Sequence, residues 1–120
     1  MDEGAFKSWL DAYGRAWETK DPEAAAGLFT EDATYHETPF DEPMRGREEI
    51  VEYWSEVPRY QDHVRFSYEI LAASEGVAHW SASFMRLPDR NPVELDGILL
   101  AKLTDGRCSE FREWWHRREE

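Results

Sequence analysis

Polar and apolar positions divide this chain into a helical first half and a sheet-like second half. Phe6, Trp9, Leu10, Tyr13, Ala16 and Trp17 recur every three or four residues, the spacing that gathers side chains on one face of a helix. Lys7, Asp11, Arg15, Glu18 and Lys20 fall mostly between them. Asp21-Pro22 restarts the chain, since aspartate is a good N-cap and proline suits the first helical position. A short second helix is predicted from Pro22 to Phe29. Ala33 to Thr38 is rich in β-formers and ends at Pro39, so it reads as a short strand. Pro39 to Gly46 reads as a loop, and Arg47 to Val57 as a third helix stopped by Pro58.

Beyond Gln61 the period changes to two. Val64, Phe66, Tyr68 and Ile70 alternate with His63, Arg65, Ser67 and Glu69, the signature of a strand with one buried face. Ser74-Glu75-Gly76 is a turn, and Val77 to Leu87 the next strand. Pro88-Asp89-Arg90-Asn91-Pro92 breaks the pattern. Val93 to Leu103 follows, and Thr104-Asp105-Gly106 turns tightly into a last strand, Arg107 to His116. Helices first and an antiparallel meander afterwards predict an α+β domain spanning 1–120. Strong twist in four long strands makes it a cone-shaped α+β barrel, a curved, mostly antiparallel sheet wrapped by three N-terminal helices around an apolar pocket.

Composition sharpens this picture. A chain of 120 residues can bury a sizeable core without staples. Its 6 Trp, 5 Tyr and 6 Phe are more than a plain helical bundle needs, and aromatic side chains also line pockets for flat apolar ligands. The net charge of -12 repels phosphate backbones and anionic lipid, so neither nucleic acid nor a membrane surface is an expected partner. Cys108 is the single cysteine, which excludes an intrachain disulfide. With neither a leader-like N-terminus nor an apolar run of about 20 residues, the cytoplasm is the expected compartment.

Three segments carry a resemblance. Leu28-Phe29-Thr30-Glu31-Asp32-Ala33-Thr34-Tyr35, Pro43-Met44-Arg45-Gly46-Arg47-Glu48-Glu49-Ile50, and Asp105-Gly106-Arg107-Cys108 with Phe111-Arg112-Glu113-Trp114-Trp115 appear in the order found in the SnoaL-like, nuclear transport factor 2-like superfamily. The chain resembles that superfamily over essentially its whole length. The resemblance implies the cone fold and a two-fold homodimer formed through the outer sheet face, where Arg112, Trp114 and His116 would lie. It says little about activity, because the fold hosts enzymes and binding proteins alike.

Among the enzymes of this fold, ketosteroid isomerase offers a pattern that can be laid on Tyr13 to Ile50 without a gap. By that resemblance its oxyanion-binding tyrosine falls on Tyr13 and its catalytic aspartate on Glu37. Its third catalytic position, counted back from the Asp105-Gly106 turn, falls on Ile98, and the nearest acid is Asp96, two residues away and on the same strand face. Limonene-epoxide hydrolase, another enzyme of the fold, uses an Arg-x-Asp pair that His79-Trp80-Ser81-Ala82-Ser83 lacks, although Glu113 resembles its last-strand carboxylate.

An enolising isomerase needs a carboxylate base and donors aimed at the developing oxyanion inside a dry pocket. Glu37, Tyr13 and Asp96 are the candidates for those roles. Trp17, Phe29, Tyr35, Phe40, Trp54, Phe111 and Trp115 are the candidate apolar wall of a cavity of about 300 Å³ or more. Glu113 shares a strand face with Phe111 and Trp115, where it would pair with His79 or an arginine, or orient a ligand. His36, His63, His79 and His116 form neither an HxH nor an HExxH spacing, so no metal is expected, and no cofactor. Two readings stay open: an isomerase- or cyclase-type enzyme acting on a small apolar carbonyl compound, or a domain that only binds a hydrophobic ligand or dimerises.

Overall fold

The structure is a computed structural model that describes residues 2–119. Helix α1 (Glu3–Glu18) is capped by Asp2, whose carboxylate accepts the Ala5 N–H at 2.7 Å. That bond satisfies one of the donors that the first helical turn leaves without a carbonyl. The stripe Phe6, Trp9, Leu10, Tyr13, Ala16 and Trp17 is buried along its whole length, each large side chain contributing about 1.5–3 kcal/mol. Helix α2 (Pro22–Ala26) is capped by Asp21 in the same way. It ends at Ala26 rather than Phe29, because Phe29 already pairs with Cys108 at the start of strand β1 (Phe29–His36).

Inside the expected loop, Met44 and Arg45 form a two-residue strand β2 (Met44–Arg45) against Tyr35 and Thr34. Helix α3 (Gly46–Trp54) is followed at Ser55 by a further turn, α4 (Glu56–Tyr60). Pro58 therefore sits in the first turn of a helix instead of ending one, a position where its missing N–H costs no hydrogen bond. Four long strands complete the chain: β3 (Gln61–Ala72), β4 (Val77–Arg86), β5 (Asn91–Thr104) and β6 (Arg107–Glu119).

All six strands form one curved, open sheet in the order β2-β1-β6-β5-β4-β3. Its pairs are antiparallel except β1 and β6, which run parallel with Tyr35 beside Phe111 and His36 beside Arg112. This pairing draws the first long strand into the sheet and stacks Tyr35 on Phe111 with ring centroids 4.5 Å apart. Between β5 and β6 the register shifts: Lys102 pairs with Glu110 but Leu103 with Cys108, leaving Ser109 as a bulge. The bulge bends the hairpin and lets Cys108 and Phe111 both face inward. α1 packs on β3 and α3 on β1, so the helices cover one sheet face and the other is left bare. Among the described residues no helix is long and apolar enough to cross a membrane.

Candidate functional site

Between the inner sheet face and the helices lies a cavity of about 230 Å³, smaller than the sequence suggested. Four elements supply its chemistry. α1 presents Tyr13 and Trp17, four residues apart and hence on one face; α3 presents Tyr53 and Trp54; β1 contributes Tyr35 and, just past its end, Glu37; β6 contributes Glu113 and Trp115. The parallel register explains why two carboxylates meet. Tyr35 lies beside Phe111 and His36 beside Arg112; Glu37 follows directly past the end of β1, and it and Glu113 border the same cavity.

Glu113 is the only charged residue buried among those described, at 7% exposure. Among the described residues it forms no ion pair, and no side-chain hydrogen bond reaches its carboxyl group. Burial, and then the charge of Glu37, holds that carboxyl well above the usual carboxylate range, which favours the protonated acid. Glu37 is only partly buried. Burial and the charge of Asp41 raise it, with the Tyr53 hydroxyl acting in the opposite sense. Both carboxyls are thus raised, the buried Glu113 further than the partly open Glu37.

Hydroxyl groups flank the pair. Tyr13 and Tyr35 share a hydrogen bond of 3.1 Å between their hydroxyl oxygens. Burial, and then Glu113, pushes both phenols well above their ordinary value, so both keep their protons. One proton is used in the mutual bond, and the other is free for an acceptor in the cavity. Two indoles fix the rim: Trp115 Nε1 donates to the Glu37 carbonyl at 3.1 Å, and Trp17 Nε1 donates to Gln61 Oε1 at 2.8 Å. The Nε1 atoms of Trp54 and Trp80, by contrast, are enclosed with no hydrogen-bond partner among the described residues.

Several residues singled out from the sequence lie elsewhere. Phe40 is 95% exposed; it follows the end of β1 in a stretch of bends and turns where no strand alternation directs it inward. Asp96 lies on the bare face of the sheet with its side chain 64% exposed. It accepts from Ser81 Oγ at 3.0 Å and bonds His79 Nε2 at 2.9 Å, so it does not join Tyr13 and Glu37. Its face could not be read because Gly97-Ile98-Leu99-Leu100-Ala101 is apolar on both parities. Pairing decides it, by setting Gly97 opposite Trp80 and Leu99 opposite Ala78 on the inner side. Ile98 faces outward with Asp96. His79, engaged with Asp96 and Glu69, cannot pair with Glu113 through the sheet. Phe29 and Phe111 are fully buried but stand behind the wall, packing against Tyr35.

Tyr53, Gln61, Trp80, Phe84, Leu95 and Arg117 also line the cavity and were not singled out. The aromatic and aliphatic members among them fill part of the space the sequence reading left open. Trp80 was legible in principle, since Ala78, Trp80, Ala82 and Phe84 form one parity of β4. A wider hollow of about 740 Å³ lies across β3 to β6. It is open to solvent and bordered largely by charged and hydroxyl side chains, so it excludes water poorly. The smaller cavity is the more enclosed of the two.

The model of the SnoaL-like domain matches residues 10–111, and the chain belongs to that family. No curated protein matches it in sequence. Among solved structures it is similar to a Bacillus subtilis protein provisionally described as an isomerase (TM-score 0.84, 18% identity, covering 97% of this chain and 90% of that one). It is also similar to SalBIII, an epoxide hydrolase/cyclase-like enzyme in pyran ring formation in the polyether salinomycin (TM-score 0.82, 23% identity, 96% and 93% covered). A third likeness is to a Catenulispora acidiphila protein of ketosteroid isomerase-like fold in complex with trimethylamine (TM-score 0.71, 18% identity, 88% and 83% covered). At these identities the likeness is one of fold.

Proposed function

We propose that this cavity is an enzyme active site that moves a proton on a small, largely apolar carbonyl compound. The observation that carries the reading is the pair formed by Glu113, buried and unpartnered, and Glu37, partly open beside it. In the proposed step the Glu37 carboxylate takes a proton from the carbon next to the carbonyl. The electron pair of that C–H bond forms the new C=C bond, and the carbonyl π electrons move onto oxygen. Glu113, as the neutral acid, and the free hydroxyl proton of the Tyr13–Tyr35 pair stabilise the charge gathering there. Glu113 thus takes the donor role that the sequence had given to Asp96. Return of the proton from Glu37 to the same or a conjugated carbon gives exchange or isomerisation, with no oxidant or reductant needed. The isomerase and cyclase descriptions of two structural neighbours accord with acid–base chemistry of this kind.

The test is deuterium exchange into a panel of cyclic enones and β-keto compounds. Glu37→Gln keeps the shape and removes the base, so exchange should fall by roughly 10²-fold or more. Exchange that survives in that variant, or none by the wild type anywhere in the panel, would count against the reading. The pH profile should rise as Glu37 ionises, above the usual carboxylate range because its pKa is raised. It should fall again as Glu113, raised further, loses its proton.

The assembly we propose is a homodimer through the bare sheet face. Trp114, 46% exposed, and Phe40 border one groove there with Ile98, an aromatic surface larger than a lone exposed side chain would leave wet. Sedimentation at tens of micromolar, on the order of ordinary dimer assays, should give the mass of two chains. A monomer would remove the dimer.

A further inference from the structure

Gln61, the first residue of β3, borders the cavity, and its amide is held in one orientation. An indole Nε1–H can only donate, so the Gln61 atom 2.8 Å from Trp17 Nε1 must be the carbonyl oxygen. The usual ambiguity between amide oxygen and nitrogen is removed by the chemistry of the partner. Trp17 is itself locked, buried between Trp54 and Trp80 with ring centroids 5.6 Å and 5.8 Å away. The Gln61 Nε2 group makes no hydrogen bond to the described residues, which leaves two N–H donors at the cavity wall.

We infer that Gln61 is a specificity-determining residue whose amide N–H donates to a second oxygen of the substrate, so that the cavity selects compounds with two separated oxygen functions over monoketones. This rests on the reading of the cavity as a carbonyl-binding site and deepens it. The two donor groups come from different elements: Glu113 and the tyrosine pair from β6, α1 and β1, and Gln61 from the start of β3. A volume of 230 Å³ corresponds to about eight waters at liquid density. A six-membered ring carrying an oxygen at either end falls within that size. An amide already fixed by Trp17 loses little freedom on binding, which is the condition under which one hydrogen bond discriminates well.

The probes are cyclohexanone and its para-diketone, in which the second carbonyl lies across the ring, titrated by NMR against the full chain. The diketone should bind about three- to tenfold more tightly, the range of one net hydrogen bond. Gln61→Glu is the informative variant. Its carboxylate still accepts from Trp17, so the structural bond persists, but the N–H donors are gone; the preference should collapse towards one. Trp17→Phe frees the amide to rotate and should reduce the preference only in part. Equal affinities in the wild type, no binding of the diketone, or a preference that survives in Gln61→Glu would overturn the proposal. The readout is binding, so it separates from the catalytic reading: Glu37→Gln should lose exchange and keep the preference. A preference found without any exchange would reject the enzyme and retain the selectivity.

Discussion

Replacing Glu113 by methionine should make the protein more stable and remove the proposed exchange activity. A buried carboxyl group without a protein hydrogen bond costs about 1–3 kcal/mol relative to an apolar group of similar volume, and Glu113 is buried at the cavity wall, with no hydrogen bond from the described side chains and a second carboxylate nearby. Methionine fills the space without that cost, so denaturant unfolding at neutral pH should show a gain of about 1–3 kcal/mol. The same substitution removes the acid that would face the substrate oxygen and should lower exchange by about 10²-fold or more. A loss of stability would mean that Glu113 makes a favourable interaction in the native state.

The pH dependence of stability gives an independent check. The folded-state pKa of Glu113 lies well above its ordinary value of 4.5, so between those two values the native state holds a proton that the unfolded state has released. Stability therefore falls as pH rises through that interval. Below the ordinary value both states are protonated and the penalty is absent. Glu113→Gln should flatten this part of the profile, and a slope unchanged in the variant would assign it to another group.

Gly97→Ala should be among the most damaging single-methyl changes available. Gly97 sits in the middle of β5, opposite Trp80 on one side and Trp115 on the other. An added Cβ would run into the Trp114 carbonyl oxygen and lie 2.8 Å from Trp115 Cβ and 2.9 Å from Trp115 Cα. The obstacles are mostly backbone in a strand paired on both sides, so relief requires moving β6 rather than rotating a side chain. A cost of about 3 kcal/mol or more is expected, at the upper end for overpacking. Displacing Trp115 would also disturb its 3.1 Å bond to the Glu37 carbonyl, so activity should fall even where the variant folds. Gly27→Ala is the control. Its φ is -64° and its nearest contact 3.4 Å, so unfolding should shift by no more than about 0.5 kcal/mol.

The sequence by itself determined the layers. The 3.6-residue stripe from Phe6 to Trp17, the Asp21-Pro22 restart and the period-two run from Val64 to Ile70 are local signals that local physics obeys. They specified α1, the start of α2 and the strands of the meander. Tyr13, Trp17, Tyr35, Trp54, Glu113 and Trp115 sit on helix stripes or strand faces whose direction is set within their own segments, whereas Glu37, just past the end of β1, is legible only through the resemblance to ketosteroid isomerase. Tertiary structure decided what no single segment encodes. The parallel pairing of β1 with β6 depends on contacts between residues far apart in the chain, and together with the Trp115 bond to the Glu37 carbonyl it brings Glu37 and Glu113 to one cavity. The outward face of Asp96 was illegible because an apolar run on both parities gives a strand no local preference, leaving its partners to choose. Phe40 was illegible for the opposite reason: a loop has no period, so an aromatic residue there carries no sign of which way it points. The orientation of Gln61 followed only from the indole placed against it, because an amide reads the same from either end until a neighbour that can only donate takes one of them.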